Sequence, residues 1–342
     1  MAVAAELRVG GAEVSFLGTR ERIEAELVPA AGYEIDYLKV RGIDRRNPLR
    51  AAGAAFEAIA AVGAARSAIR RRGADVVMGG GGFVAGPAGL AAVTARTPLV
   101  LTEADSHMGL ANRLLSGRAR RVCLAFPISG REGERYLVTG RPVPDAVLSA
   151  DRARARERFG IDPRAKALLV MGGSQGARSI NFAAIEAFAG RPGRDFDVIH
   201  LAGRRDYDDL SQKLAGSAHA ERYTLLAYEP DLGDTLAACD LVLGRSGGSI
   251  FEVTATGRPA VLVPYPHATA DHQSANAAWM EQAGAAVVIR DADLDAERLA
   301  SEVGGLLGAG ERLARMAAAS AAIAKPDAAR RIADEVLAAA GR

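Results

Sequence analysis

Cysteine is nearly absent from this sequence. Only Cys123 and Cys239 occur, far apart and at no spacing that suits a metal site or a redox pair. A disulfide framework would need more of them, so two buried thiols in a reducing compartment are expected. Any run of about 20 uninterrupted apolar residues is also missing, and nothing is expected to span a bilayer. The opening segment Met1–Gly10 carries Glu6 and Arg8 inside its apolar stretch. It lacks the basic-then-apolar layout of a signal peptide, and a soluble or at most peripheral protein is expected. Excess charge of one sign is lacking too: 43 Lys and Arg against 41 Asp and Glu leave +2, with a pI near 8.6. No global field therefore argues for nucleic acid. No G-x-G-x-x-G follows a strand with an acid about 20 residues on, which argues against an NAD-dependent oxidoreductase.

What is present is ordinary globular material, 49% hydrophobic and 25% charged over 342 residues. A single core rarely grows past roughly 250–300 residues, so two domains are expected. The rhythm is strand, Gly-rich turn, helix, repeated, which argues for an α/β fold with parallel sheets and helices on both faces. Strands are expected at Glu13–Leu17, Asp75–Met78, Pro98–Leu101 and Arg121–Ala125 in the first half. In the second half they are expected at Lys166–Met171, Asp197–Leu201, Tyr223–Ala227, Leu241–Leu243, Ala260–Val263 and Ala286–Ile289. Each is short and rich in Val, Leu or Ile, as buried parallel strands are. The two prolines of Gly140–Ala150, before the Arg-rich helix Asp151–Phe159, mark the domain boundary. The division expected is 1–144, 145–326, and an amphipathic closing helix over 327–342 that packs back toward the first domain. The chain opens in a helix (Ala2–Arg8) and not in the strand and Gly-rich turn with which such a domain ordinarily begins.

Three polar loops at successive strand ends of the second half can carry chemistry. Gly172–Arg178 (GGSQGAR) stands between a strand and a helix, where backbone N–H groups at the positive helix end suit a diphosphate. Ser174 and Gln175 lie in its middle. The second loop, Gly244–Glu252, holds Arg245, Gly247, Gly248 and Ser249, and places Glu252 one turn into the next helix. A carboxylate there can accept both hydrogen bonds of a ribose diol, or simply favour the helix dipole. Pro264–Gln273 is the third, and its His272 and Gln273 offer donors and acceptors to sugar hydroxyls. In the first half, Gly79–Pro87 contains Gly81 and Gly82, and is followed by Asp105, His107 and Asn112. His107 is the one candidate base that chemistry offers here, although a packed or solvated loop histidine is the simpler reading. Arg41–Arg50 sets four arginines beside Ile43 and Leu49, with Phe56 and Ile59 beyond. This suits an anionic membrane surface, or a solvated face whose apolar residues lie in a core.

Taken together, these loops resemble those of the MurG family of glycosyltransferases. The stretches that carry the resemblance are Leu17–Thr19, GGGGFVAGPAG at 79–89, GLAN at 109–112, GGSQGAR at 172–178, RSGG at 245–248 and HATADHQSANA at 267–277. It spans essentially the whole chain. The resemblance implies two Rossmann-like domains of GT-B type with the active site in the cleft, and an inverting transfer of N-acetylglucosamine from UDP-N-acetylglucosamine to lipid I. That reaction makes lipid II for peptidoglycan, and so serves cell-wall growth, shape and division. It places Ser174, Gln175, Arg245, Gly247, Gly248, Ser249, Glu252, His272 and Gln273 on the UDP-sugar, and Gly81, Gly82, Asp105 and Asn112 on the acceptor side. No metal and no cofactor are implied. The partner is the cytoplasmic face of the plasma membrane, met by the Arg41–Ile59 patch. The family's favoured region for a catalytic base is a first strand and Gly-rich loop ending in His, and this would precede Met1. Asp105 stands where many relatives carry Asn, Pro144 where they carry Arg, and the 245–252 loop is one residue shorter.

Three other readings share these loops. A UDP-sugar transferase acting on another lipid or natural product would use the same second-half loops. A UDP-sugar epimerase would need no lipid acceptor. A chain that binds UDP-N-acetylglucosamine without turning it over is favoured by the opening of the sequence.

Overall fold

The described strands are three to six residues long, and the central ones, buried on both faces, need little length to be held. The computed structural model describes residues 1–40, 48–173, 176–268 and 271–341, with the side chains of 48–56 and 58 set aside. Contacts divide the chain into one unit made of Met1–Pro142 with Asp327–Arg342, and another made of Val143–Pro326.

The first unit holds β1 (Ser15–Gly18) paired in parallel with β2 (Glu34–Tyr37), and a second parallel sheet in the order β3-β4-β5-β6. These are Val77–Gly79, Leu99–Glu103, Arg121–Leu124 and Tyr136–Val138. Alternation along β4 and β5 sorts their side chains. Leu99, Leu101, Val122 and Leu124 enter one core with Leu38, Ala65, Ile69 and Leu115. Val100 and Cys123 point the other way, onto Val3, Leu7, Ile332, Ala333 and Val336. The last three lie on one stripe of the helix Ala328–Ala339, so the chain's end completes the unit that its start begins.

The second unit is a six-stranded parallel sheet in the order β12-β11-β10-β7-β8-β9. Its strands are β7 (Lys166–Met171), β8 (Phe196–Leu201), β9 (Tyr223–Leu226), β10 (Leu241–Gly244), β11 (Ala260–Leu262) and β12 (Ala286–Val288). Leu168, Val170, Val198, Leu241, Leu243 and Val261 pack with Ile180, Phe188, Leu299 and Val303 of the covering helices. The chain runs outward from β7 through β8 to β9, then returns to β10 on the other side of β7. The order thus reverses between β7 and β10, and their carboxyl ends open a crevice between loops that leave in opposite directions. At the opposite end, Arg152 and Arg156 of the helix Arg152–Phe159 both reach Asp240, at 2.7 and 2.9 Å, and fix the start of β10.

Two strands depart from the sequence expectation. β2 reads EIDY, whose two carboxylates hide a half-buried edge strand, and β6 is too short for any periodicity. The glycine run 79–82 is also divided more sharply than a loop. Gly79 closes β3, Gly81 takes a left-handed φ of 82°, and a helix begins at Gly82 and runs to Ala95 through Pro87.

Candidate active site

Two positions of the turn after β7 favour glycine by their backbone. Gly173 and Gly176 have φ of 80° and 75°, a region L side chains enter at a cost of about 1–2 kcal/mol. A Cβ on Gly176 would also clash with the carbonyl oxygen of Ala202, at the end of β8. Ser174 and Gln175 lie outside the described residues. The helix Arg178–Phe188 follows, with Ala177 as its extended N-cap.

A buried wire fixes where that helix starts. Asn181 is fully buried and donates through Nδ2 to the Ala202 carbonyl at 2.8 Å and to Asp206 Oδ2 at 3.0 Å. Its Oδ1 must then accept from His200 Nε2, 3.0 Å away, which assigns the proton to Nε2 and leaves Nδ1 to accept from the Tyr223 hydroxyl at 2.8 Å. Burial drives the His200 pKa down to about 3, so the ring stays neutral. Asp206 closes the wire. Burial alone would raise its carboxyl, but hydrogen bonds from Arg205, Arg178 and Asn181 hold it below its ordinary value.

The turn after β10 is tied on every side. Arg245 is buried to 11% exposure and donates from Nη1 to Asp291 Oδ1 (2.6 Å) and to the carbonyls of Val263 (3.0 Å) and Pro264 (3.1 Å). From Nη2 it donates to Ser179 Oγ at 2.8 Å. Ser246 is wholly buried and donates to the Gln273 carbonyl at 2.7 Å, while Asn276 Nδ2 donates to the Ser246 carbonyl at 2.9 Å. Gln273 Oε1 accepts the Tyr265 amide at 3.0 Å, and its Nε2 lies toward Gly247. Glu252 sits half-buried in the first turn of the helix Ile250–Ala255, behind Gly247, Gly248 and Ser249. His272 opens the helix His272–Gln282, which Asp271 precedes in a left-handed conformation. Arg245, Gly247, Ser246 and Gln273 therefore form one assembly at the carboxyl ends of β10 and β11.

In the first unit a buried carboxylate does the arranging. Glu103, at the end of β4, accepts the amides of Asp105 (3.3 Å) and Gly109 (2.8 Å) and Nδ2 of Asn112 (3.0 Å). Asn112 also donates to the Thr102 carbonyl at 2.9 Å, and its buried Oδ1 finds no hydrogen-bond partner among the described residues. Gly81 lies beside that amide, and Asp105 and His107 are half-buried in the same loop. Of the basic, apolar stretch, residues 41–47 lie outside the described residues, and Ile59 is 72% exposed. Pro144 caps the short helix Asp145–Leu148. Sequence reasoning passed over Glu103, Ser179, Asn181, His200, Ser246, Asn276 and Asp291. A polar residue in the first turns after a glycine loop was the one signal that pointed to Ser179 and Asn181. Among the described residues no group of three His, Cys, Asp or Glu converges to hold a metal ion.

Residues 1–124 match the glycosyltransferase family 28 N-terminal domain, and residues 167–332 match the family 28 C-terminal domain. Two Rossmann-like units, with loops gathered at a sheet's switch point, are the architecture of a GT-B glycosyltransferase. Within that class the chain belongs to the UDP-N-acetylglucosamine–N-acetylmuramyl-(pentapeptide) pyrophosphoryl-undecaprenol N-acetylglucosamine transferases, the MurG family. It is 40% identical to the member from Moorella thermoacetica over 327 residues, which is 93% of this chain and 88% of that one. The crystal structure of MurG from Acinetobacter baumannii superposes with a TM-score of 0.81 at 28% identity, covering 98% of this chain and 94% of that one. A UDP-N-acetylglucosamine 2-epimerase, 17% identical with a TM-score of 0.70 over 99% of this chain and 92% of that one, shares the fold alone.

Proposed function

We propose that this chain transfers N-acetylglucosamine from UDP-N-acetylglucosamine to lipid I, with inversion at the sugar, and so makes lipid II in peptidoglycan synthesis. The observation that carries this reading is the pair of glycine-bearing turns at the switch point of β7 and β10, in a chain of this family. The turn at 172–178, with Ser174 and Gln175, would receive the diphosphate against the N-terminus of the helix Arg178–Phe188. Glu252 would accept the ribose hydroxyls, with Gly247, Gly248 and Ser249 letting the nucleotide approach. His272 and Gln273 would meet the sugar. Gly81, Gly82, Asp105 and Asn112 form the acceptor side.

In the reaction an acceptor hydroxyl oxygen bonds to the anomeric carbon, the bond from that carbon to the diphosphate breaks, and UDP leaves with the electron pair. The acceptor proton passes to one general base. Charge grows on the departing diphosphate, and amides at the N-terminus of the helix Arg178–Phe188 would stabilise it with little reorganisation in the transition state. The lipid acceptor requires a membrane surface. The stretch Arg41–Ile59 on the cytoplasmic face would supply contact, in a chain of which no described helix is long and apolar enough to cross a membrane.

The test is UDP release by the purified chain with UDP-N-acetylglucosamine, in the presence and absence of a short-chain lipid I analogue. Acceptor-dependent release with a disaccharide product is expected. Release of a free epimer without acceptor, or binding of the donor with no turnover, would overturn the reading.

A further inference from the structure

Four of the six strands in the second unit end at a single guanidinium. Arg245 leaves β10, the Val263 and Pro264 carbonyls end β11, Asp291 follows β12, and Ser179 lies in the first turn of the helix after β7. The three side chains also close a ring. Arg245 donates to Ser179 Oγ at 2.8 Å and to Asp291 Oδ1 at 2.6 Å, and Ser179 Oγ donates to the same Asp291 oxygen at 2.8 Å. The guanidinium is 11% exposed and the carboxylate 24%, so water screens the pair little.

We infer that Asp291 and Ser179 are positioning residues for the donor, acting through Arg245 to lock the first turn of the helix after β7 and the β10 and β11 loops in their binding geometry before the donor arrives. The inference rests on the proposed UDP-sugar reading of those loops. It assigns Arg245 a different task from that of a phosphate ligand. The two Nη1 protons are shared among three protein acceptors and one Nη2 proton goes to Ser179, so most of the fork holds protein to protein. The planar fork joins its own segment to three others through donors in fixed positions, which the single ammonium of a lysine at 245 would not reproduce. Ordering the loops during folding removes that cost from binding, and affinity gains accordingly. Removing Asp291 leaves a largely buried cation without its counter-charge, and the segments it joins come apart.

The two roles for Arg245 predict opposite results. As a tether it needs Asp291, whereas as a phosphate ligand it would bind better once Asp291 released it. Calorimetric titration with UDP-N-acetylglucosamine decides this for the wild type and the Asp291→Ala, Asp291→Asn and Ser179→Ala variants. A hydrogen bond to a charged group supports about a tenfold loss for Asp291→Ala. A smaller loss is expected for Asp291→Asn, which keeps an acceptor oxygen, and for Ser179→Ala. The donor KM should rise while the acceptor KM and kcat stay near wild type. In the ligand-free protein, amide exchange should quicken in residues 244–249 and 263–268 together. Unchanged or tighter donor binding by a folded Asp291→Ala protein, with exchange unaltered, would overturn the inference. Ser179→Ala removes one hydroxyl and carries the test if Asp291→Ala does not fold. A wild type that binds no UDP-N-acetylglucosamine would overturn the donor reading instead, and the exchange measurement would still decide the tether.

Discussion

Arg121 on β5 and Glu335 on the closing helix Ala328–Ala339 form an ion pair at 2.5 Å across 214 residues of sequence. Under it, Val100 and Cys123 are sealed by Ile332, Ala333 and Val336. Burial pushes the Cys123 thiol up to about 12, the Glu335 charge adds to this, and Arg121 and Arg331 oppose it. Neither cysteine should react with a disulfide reagent at pH 8, since the thiolate is the reactive form. Removing residues 327–342 uncovers β4 and β5, and each large apolar side chain lost from that face costs about 1.5–3 kcal/mol. The truncated protein should show one reactive thiol, Cys123, while Cys239 stays silent in the other unit. Two silent thiols after truncation would mean that the helix does not cover β5.

Gly176 and Gly173 share a left-handed backbone but not the same surroundings. A Cβ on Gly173 meets open space, whereas one on Gly176 meets the Ala202 carbonyl. Gly173→Ala should cost about 1 kcal/mol, from its φ alone. Gly176→Ala should cost about 3 kcal/mol or more, because the turn must also move off β8. Urea titrations of both variants measure this. Equal losses would show that the backbone near Ala202 yields easily.

Much of this arrangement was legible in the sequence, for reasons of local chemistry. The central strands of the second unit, β7, β10 and β11, are runs of Val, Leu and other apolar residues because both their faces are covered, and Lys166–Met171 was readable to the residue. Glycine turns announce themselves because other residues take a positive φ only at a cost. β2 and β6 were not readable, since EIDY and YLV lie in partly exposed strands where charge and short length erase the pattern. Asp291 and Glu103 escaped for another reason. Each is an ordinary acid whose role comes from what folding brings to it, and Asp291 meets Ser179 from 112 positions away. His200 looked like one more residue of an apolar strand, and only the fold shows that it spans Asn181 and Tyr223.

Glu252 is the proposed partner of the ribose, and the nucleotide itself can test it. The wild type should lose about tenfold in affinity for a 2′-deoxyribose analogue of UDP-N-acetylglucosamine, the effect of one hydrogen bond to a carboxylate. A Glu252→Ala protein should bind the natural donor about tenfold more weakly and barely distinguish it from the analogue. The two losses then overlap in a double-mutant cycle, as for groups in contact. Additive losses would place Glu252 away from the ribose.

His200 makes stability depend on pH in a window set by its own titration. The ring has an ordinary value of 6.5 and burial lowers it to about 3 in the folded chain. Between those values the unfolded chain binds a proton that the folded chain refuses. Stability is therefore whole above pH 6.5 and falls as the pH drops toward 3, by at most about 1.4 kcal/mol per pH unit. Carboxylates titrate in the lower part of the same range, so the comparison must be with a variant that keeps them all. His200→Gln can still donate to Asn181 Oδ1 but cannot also accept from Tyr223, and at pH 7.5 it should be less stable by about 1–3 kcal/mol. Its stability lacks the histidine's slope. The wild-type advantage should therefore shrink by about 2 kcal/mol between pH 6.5 and 4.5, and at the lower end the variant can be the more stable protein. Urea midpoints of both proteins at pH 7.5, 6.5, 5.5 and 4.5 measure the difference directly. A constant gap across that range would mean that the ring takes up a proton in the folded state, and the neutral His200 between Tyr223 and Asn181 would have to be redrawn.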